Sequence, residues 1–252
     1  PRLQQEALAS EYARVGLTQS EFHGYDRAFQ AREEQEYALA DFHCVASQLV
    51  KKQLTSLGLA AERIWVVPYG ADRRRFKKPA PDTHRNPYHV VFAGQLTQRK
   101  GVRVLLEAGA LIRKSIPITI GLYGPILPDI LPDLKRYSSQ SWISWSGSVA
   151  QTELAGIFQK AAVLVLPSWE EAFGLVVPQA LNCGLPCIVS DRVGAADVIS
   201  NRSNGSIFPA GDAEWLAREI VWWIENPLAR DLGTLGWEIP AQKLLELTMQ
   251  AA

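Results

Sequence analysis

The chain has 252 residues and equal numbers of basic and acidic side chains, 26 of each, so its formal net charge at pH 7 is zero. Hydrophobic residues make up 47% of it and charged residues 21%, which is enough apolar material for a globular core. The balanced charge argues against attraction of the whole protein to nucleic acid, and we predict no nucleic-acid partner. The longest apolar runs, such as AAVLVLP at 161–167, are far shorter than the roughly 20 residues that cross a bilayer.

The cysteines form a small, odd-numbered set: Cys44, Cys183 and Cys187. This usage favours a reducing compartment over a disulfide framework, and no signal-peptide pattern opens the chain. We therefore expect a cytoplasmic protein. Cys183 and Cys187 flank the turn GLP without matching histidine or cysteine partners, so we predict small buried side chains and no metal site.

The first 70 residues are predicted to form a unit distinct from the rest. Its predicted helices cover 1–15, 27–40 and 47–57, with a strand candidate at 42–47 and the apolar run IWVVP at 64–68. A segment rich in proline and charge follows and predicts a linker over 71–87. The basic run RRRFKK lies in that linker, where a solvated charge run is the expected interpretation.

From residue 88 onward, short β-rich runs alternate with helical patterns. Strands are predicted at HVVFAG, ITIGLYG, WISWSG, VLVLP and PCIVS, and helices over about 101–114, 151–161, from about 176, and over 213–226. Continuous valine, isoleucine and leucine runs are typical of strands that are buried on both faces. Residues 88–252 are therefore predicted to form a doubly wound, parallel, Rossmann-like α/β sheet with helices on both faces.

The first strand of that domain runs into a turn suited to an anion, in the stretch VVFAGQLTQRKGVRVLLEAG at 90–109. Gly94 allows close approach of the backbone, and Arg99 and Lys100 stand where the next helix begins. Free N–H groups and the positive helix end favour phosphate, to which Arg and Lys add charge-assisted hydrogen bonds. The alternative is a solvated basic turn.

A later strand has a comparable turn in PSWEEAFGLVVPQALNCGLP at 167–186. Pro178 lacks an N–H, so the helix is predicted to start near Val176 and to leave the amides of residues 173–177 mostly unpaired. Glu171 could accept hydrogen bonds from hexose hydroxyls. Alternatively, Glu170 and Glu171 are ordinary acids at a helix start. Adjacent carboxylates seldom reach the facing separation of a glycosidase pair, about 5–9 Å.

Four motifs in this order resemble the retaining GT-B glycosyltransferases that use nucleotide-sugar donors. They are VVPYGADRRRF at 66–76, FAGQLTQRKGVRVLLEA at 92–108, VLPSWEEAFGLVVPQALNCGLPCIVSD at 165–191 and SNGSIFPAGD at 203–212. The resemblance covers about residues 33–226. It implies an enzyme whose C-terminal half binds a nucleotide diphosphate sugar and whose N-terminal half binds the acceptor, with no metal held by protein and no bound cofactor.

The resemblance also implies roles for individual residues. Arg99 and Lys100 match the cationic pair that neutralises the diphosphate, and Glu171 matches the first acid of the signature Glu, seven residues, Glu. The implied donor-binding residues are Gly94, Gln95, Phe173, Gly174, Leu175, Val176 and Gln179. The segment from Trp145 to Val149 is expected near the nucleobase.

The chain departs from the family pattern at two site positions. The second signature acid is Gln179, which can still hydrogen-bond a ribose hydroxyl but carries no charge. The usual arginine after the phosphate-loop glycine is Gln95, which removes one cation. Both changes are expected to weaken donor binding or turnover.

The first unit is also shorter than the resemblance requires. Residues 1–70 match only the last portion of an acceptor domain, and Pro1 stands where a start methionine would be expected. The resemblance implies that a functionally important histidine comes from the part of the acceptor domain that residues 1–70 do not match, and His23 and His43 lie outside its expected position. Whether an upstream acceptor domain exists stays open, as does a peripheral membrane contact through it.

These observations predict transfer of a sugar from a nucleotide diphosphate donor to an acceptor with retention of anomeric configuration. The alternative is a catalytically incomplete nucleotide-sugar binding fragment or degenerate homologue. A nucleotide-sugar epimerase would need catalytic acids that the chain does not obviously offer. Three classes of acceptor stay equally open: a polysaccharide, a lipid or a small metabolite.

Overall fold

The first unit contains two short parallel strands with two helices. In the computed structural model, the described residues are 27–227, 232 and 235–251, with Ala9 and Ala13; the predicted helix over 1–15, those two alanines apart, and His23 lie outside them. The elements of the unit are α1 (Arg27–Leu39), β1 (His43–Val45), α2 (Gln48–Ser56) and β2 (Ile64–Val66). Strands β1 and β2 pair in parallel, with His43 opposite Ile64. This order of elements agrees with the prediction for residues 27–66.

The second unit is a six-stranded parallel sheet. Its elements are β3 (His89–Ala93), α3 (Val102–Ile112), β4 (Thr119–Tyr123), α4 (Leu131–Arg136), β5 (Ile143–Trp145), α5 (Gln151–Lys160), β6 (Val163–Leu166), α6 (Val176–Asn182), β7 (Cys187–Ser190), β8 (Gly205–Phe208) and α7 (Ala213–Glu225). The strand order is β5-β4-β3-β6-β7-β8, and every pair is parallel. The predicted doubly wound α/β fold is confirmed.

The central strands are apolar throughout because helices cover both faces of the sheet. All four residues of β6 and all four of β7 are buried, as the unbroken apolar runs predict. Helix α7 packs against α3 and buries the predicted stripe of Leu216, Ile220, Trp223 and Ile224. The indole N–H of Trp223 donates to the Ser206 hydroxyl at 2.9 Å, so this ring is both buried and fixed.

Three elements were not predicted. Helix α4 has only six residues, with a proline in its first turn, so its apolar spacing is too short to recognise. Strand β8 has only four residues between turn-forming Asn204 and Pro209, so its alternation is too short to recognise. Helix α8 (Glu238–Ala251) follows α7, which was expected to close the domain. Its large apolar side chains are mostly exposed, among them Leu245 at 60% and Met249 at 72%. A buried stripe, the usual sequence signal of a helix, is therefore lacking.

The linker and the tail after α7 lie side by side. Residues 67–88 contain no described helix or strand, and within them Ala71 donates its N–H to Leu235 O at 2.8 Å. Leu235 is held in turn by Asn182, whose side chain makes two hydrogen bonds to its backbone. The tail therefore connects the linker with helix α6, which packs beside the six-stranded sheet.

The cysteines differ sharply in their environment. Cys183 and Cys187 are fully buried, as predicted, whereas Cys44 is exposed. Burial raises the pKa of Cys183 to about 12 and that of Cys187 well above its ordinary value. Because the thiolate is the reactive form, neither buried thiol is expected to react in the folded protein.

We expect one cysteine of the native protein to react rapidly with an aromatic disulfide reagent at pH 8. That cysteine is Cys44, and Cys44→Ser should remove the fast phase of the reaction. Burial also raises the pKa of Cys44, so the fast rate should still climb between pH 8 and pH 9 as thiolate forms. Absorbance of the released thiolate follows the reaction, and a second fast thiol in the folded state would contradict the packing of α6 and β7.

Candidate functional site

The sheet reverses its winding between β3 and β6. Connections from β3 lead toward β4 and β5 on one side, and those from β6 lead toward β7 and β8 on the other. In doubly wound sheets, ligands bind outside the carboxyl ends of the strands at this switch point. Two loops lie there: the β3 loop (residues 94–100) and the β6 loop (residues 167–175). They contain most of the predicted site residues.

The two loops are in direct backbone contact. The N–H of Trp169 donates to Arg99 O at 2.9 Å. Gly101, between the β3 loop and α3, has φ of 69°, and a Cβ at this position would lie 1.9 Å from Pro167 O. A side chain at residue 101 would thus push the loops apart. Glycine is required here both by the left-handed conformation and by the close approach.

Each predicted cation is paired with one acid of the β6 loop. The ammonium of Lys100 contacts the carboxylate of Glu171, and both side chains are largely buried, at 13% and 17% exposure. The guanidinium of Arg99 lies 3.4 Å from the Glu170 carboxylate and donates to Glu170 O at 3.2 Å. The two adjacent carboxylates are therefore each paired with a different cation.

The β6 loop presents free amides because its carbonyls are bound on the other side. Glu171 O accepts from Gly194 N at 2.9 Å, and Phe173 O accepts from Ala195 N at 2.7 Å. No acceptor among the described residues lies within hydrogen-bond reach of the amides of 173–176. The N–H of Val177, by contrast, donates to Gly174 O at 2.9 Å, so the predicted set of unpaired amides ends one residue earlier.

The side chains of this loop divide between core and rim. Phe173 is buried at 2% exposure and meets the Tyr69 ring edge-on at 5.3 Å. Leu175 is exposed, whereas Gly174 and Val176 are half-buried. Gln179 is also half-buried, in the first turns of α6. Phe173 thus anchors the β6 loop in the core, whereas Gly174, Leu175 and Val176 are accessible at the switch point.

The β3 loop contributes side chains more than amides. The Gly94 N–H donates to Tyr123 O at 2.9 Å, so this amide is not available to a ligand. A Cβ at Gly94 would meet nothing closer than the Phe92 ring at 3.6 Å, which leaves the space above the glycine open. Gln95 is exposed on the rim.

A buried polar cluster behind the β3 loop was missed by sequence reasoning. The Gln98 N–H donates to the Asp129 carboxylate at 2.9 Å, and the Gln98 side-chain amide donates to Asp133. Burial raises the pKa of Asp129, although its hydrogen bonds and the nearby charge of Arg99 oppose that shift. Asp129 and Asp133 come from a proline-broken stretch 30 residues along the chain, where only the tertiary fold reveals their partner.

The predicted base-binding segment lies next to the β3 loop. Trp145 ends β5 with 39% of its surface exposed. Gly124 N donates to Gly147 O at 2.7 Å, which ties the turns after β4 and β5 together. His43 lies elsewhere, in the first unit, with its ring edge-on to Tyr37 at 5.9 Å.

A cavity of about 640 Å³ lies at the other end of the sheet, and we call it the linker cavity. Its lining includes Lys78, Arg85, Gly184, Pro186 and Trp223. The Arg85 guanidinium donates to Gly184 O at 2.8 Å and to Cys183 O at 3.2 Å. Because Arg85 already serves two carbonyls, this cavity suits a diphosphate less well than the two loops.

The part of the chain that the structure describes offers neither a metal cluster nor a membrane-spanning helix. No group of three or more His, Cys, Asp or Glu side chains there could hold a metal ion. No described helix is both long and apolar enough to cross a membrane.

A six-stranded, doubly wound parallel sheet with two contacting loops at its switch point defines the class of doubly wound α/β proteins. Within that class, the chain belongs to the family of glycosyl transferases group 1, whose model matches residues 87–226. The family predicted from the four motifs is confirmed.

A curated relative and two solved structures illustrate the similarity. The chain is 30% identical over 219 residues to the D-inositol 3-phosphate glycosyltransferase of Paenarthrobacter aurescens (strain TC1), covering 77% of this chain and 53% of the relative. The chain spans about half the length of the curated relatives it matches. The activity of a whole relative therefore comes to this chain only as a proposal.

The solved structures share the fold at lower identity. Sucrose-phosphate synthase from Thermosynechococcus elongatus has a TM-score of 0.76 at 24% identity, covering 96% of this chain and 65% of that one. HepE from Anabaena in complex with UDP-glucose has a TM-score of 0.68 at 20% identity, covering 84% and 64%. The predicted GT-B-like architecture is confirmed at the level of fold.

Proposed function

We propose that the chain is the donor-binding part of a retaining glycosyltransferase that uses a nucleotide diphosphate sugar. The observation that carries this proposal is the arrangement at the switch point, where the amides of 173–176 and the cations Arg99 and Lys100 lie on two loops in contact. A diphosphate provides acceptors for those amides and negative charge for those cations. Family membership adds the sugar.

The donor is bound in three parts. Lys100, Arg99 and the free amides hold the diphosphate, and the electrostatic field they create stabilises the departing nucleoside diphosphate without a metal. Glu171 accepts hydrogen bonds from the hexose, and Gln179 binds a ribose hydroxyl. The base lies beside Trp145. Uracil is the first base to test, because the structural neighbour HepE was crystallised with UDP-glucose.

Retention of the anomeric configuration is proposed from the resemblance to retaining GT-B glycosyltransferases. In the proposed step the acceptor hydroxyl attacks the anomeric carbon from the face on which the diphosphate departs. The sugar–phosphate C–O bond breaks, the new glycosidic bond forms, and the acceptor proton passes to a phosphate oxygen. The first unit contacts the β6 loop through Ser47, and we place the acceptor and any upstream residues on that side.

Thermal unfolding with UDP-, GDP- and ADP-sugars tests donor binding. At a hundredfold excess over Kd, a ligand of the folded state stabilises it by about 2.7 kcal/mol, which for a chain of this size raises Tm by roughly 5–10 °C. We expect that shift with at least one donor, and EDTA should leave it unchanged. If no nucleotide sugar stabilises the chain, the proposal is wrong.

A second candidate is nucleotide-sugar binding without transfer. It is favoured by Gln95 and Gln179, which replace an expected cation and an expected acid. The two candidates differ in turnover: release of nucleoside diphosphate in the presence of sugar, polyol and lipid acceptors identifies the enzyme. NMR of the product then reports the anomeric configuration, and inversion would contradict the mechanism above.

The proposed location is cytoplasmic. All three cysteines are free thiols, and two of them are packed as small core residues, as a reducing compartment allows.

A further inference from the structure

Ser47 connects the first unit directly to the β6 loop. It is fully buried, and its hydroxyl donates to Ala172 O at 2.7 Å, a contact between residues 125 positions apart. The same oxygen accepts from Val50 N at 3.3 Å and so caps α2. One side chain thus serves both the start of a helix in the first unit and the backbone of the proposed donor site.

The contact lies on the side of the loop that determines which way its amides face. With Ala172 O bound to Ser47, three successive carbonyls, those of residues 171–173, are all engaged. In a trans peptide the C=O of one residue and the N–H of the next point in opposite directions, so binding the carbonyls of 171–173 fixes the N–H groups of 172–174 on the opposite side of the loop. Ser47 therefore fixes the free amide of Phe173 directly and supports the free amides of 174–176 that follow it.

A second contact strengthens the same junction. The Gln48 N–H, at the first position of α2, donates to the Asp197 carboxylate at 2.6 Å. A carboxylate at a helix N-terminus is stabilising. Between the two contacts lies Gly194, where an added Cβ would be 2.1 Å from Ala172 O and 2.5 Å from the Ser47 hydroxyl. The junction is therefore closely packed as well as hydrogen-bonded.

We propose that Ser47 is a positioning residue for donor binding: by holding Ala172 O, α2 of the first unit keeps the amides of 173–176 directed at the diphosphate. The identity of the ligand, a nucleotide sugar, rests on the proposed function, whereas the contact of Ser47 with Ala172 O is observed in the structure. Donor affinity then depends on the docking of α2 as well as on the residues that touch the donor.

The test compares Ser47→Ala with Ser56→Ala. Both remove a serine hydroxyl from the same helix, but the Ser56 hydroxyl donates only to Gln53 O at 2.7 Å, within α2. In Ser47→Ala, we expect faster hydrogen–deuterium exchange at the amides of Gly194 and Ala195, which donate to Glu171 O and Phe173 O, and unchanged exchange in a peptide covering 94–100. We also expect a roughly tenfold higher Kd for the best nucleotide sugar, the effect of losing one buried hydrogen bond. Ser56→Ala should change neither.

Asp197→Ala provides a second variant in case Ser47→Ala does not fold, since Asp197 is exposed. It should raise exchange at the amides of Gly194 and Ala195 and weaken donor binding by a smaller factor, about threefold. Exchange in Ser47→Ala that is unchanged at these two amides, or raised equally throughout the chain, would overturn the positioning role. Faster exchange with unaltered donor affinity would overturn it too. If the unsubstituted chain binds no donor, the proposed function fails, while exchange still decides whether Ser47 orders the loop.

Discussion

Lys100→Ala is expected to lower the affinity for a nucleotide sugar by about 30- to 5000-fold. The change removes a charge-assisted contact to the diphosphate and leaves the largely buried Glu171 carboxylate without its partner. Truncating one member of such a pair typically costs about 2–5 kcal/mol. Isothermal titration with the donor that gives the largest thermal shift measures the effect directly.

A matched control and a rescue make this result specific. Lys114 is an exposed lysine just beyond the other end of α3, and Lys114→Ala should bind donor normally. Adding Glu171→Gln to Lys100→Ala removes the unpaired carboxylate and should recover part of the affinity for the nucleoside diphosphate, though not for its sugar. Equal donor affinity in Lys100→Ala and the unsubstituted chain would show that Lys100 does not bind the diphosphate.

Gly101→Ala should have the largest effect on the shape of the site. The left-handed conformation costs a residue with a Cβ about 1–2 kcal/mol, and here the new methyl would also overlap Pro167 O. The β3 and β6 loops must separate to admit it. We expect a lower free energy of unfolding, by about 2–4 kcal/mol, together with loss of donor binding. Urea denaturation and titration measure the two effects separately.

Gly58→Ala separates strain from overlap. Gly58 also has a positive φ, 94°, but a Cβ there would meet nothing within 4 Å. Gly58→Ala should therefore lower the free energy of unfolding only by the cost of the left-handed backbone, about 1–2 kcal/mol, and its donor affinity should be unchanged. If Gly101→Ala were no more destabilised than Gly58→Ala and kept its donor affinity, the close contact of the two loops would not matter to the site.

Much of the fold could be predicted because its signals are local. The apolar runs of β6 and β7 and the stripe along α7 are read from neighbouring residues, and parallel strands with alternating helices leave few arrangements. Helix α8 was not predicted, because Leu245 and Met249 are exposed and form no buried apolar stripe. Its position depends on long-range contacts of the tail with the linker, such as that of Leu235 with Ala71, which leave no periodic signal.

The candidate site likewise has some contacts that the sequence predicts and others that it does not. Motif spacing placed Lys100 and Glu171 in neighbouring loops, and the structure brings them into contact. It could not reveal that the Gly94 N–H is taken by Tyr123 O or that Asp129 holds the backbone of Gln98. Those contacts join residues about 30 positions apart, where the fold rather than the spacing decides the partner.

A crystal of this chain soaked with its best nucleotide sugar tests the central claim most directly. The account predicts phosphate oxygens at about 2.7–3.2 Å from amide nitrogens of 174–176 and from Lys100 Nζ, with Glu171 turned from Lys100 to the hexose. Phosphates bound instead in the linker cavity beside Arg85, with the Lys100–Glu171 pair intact, would contradict it.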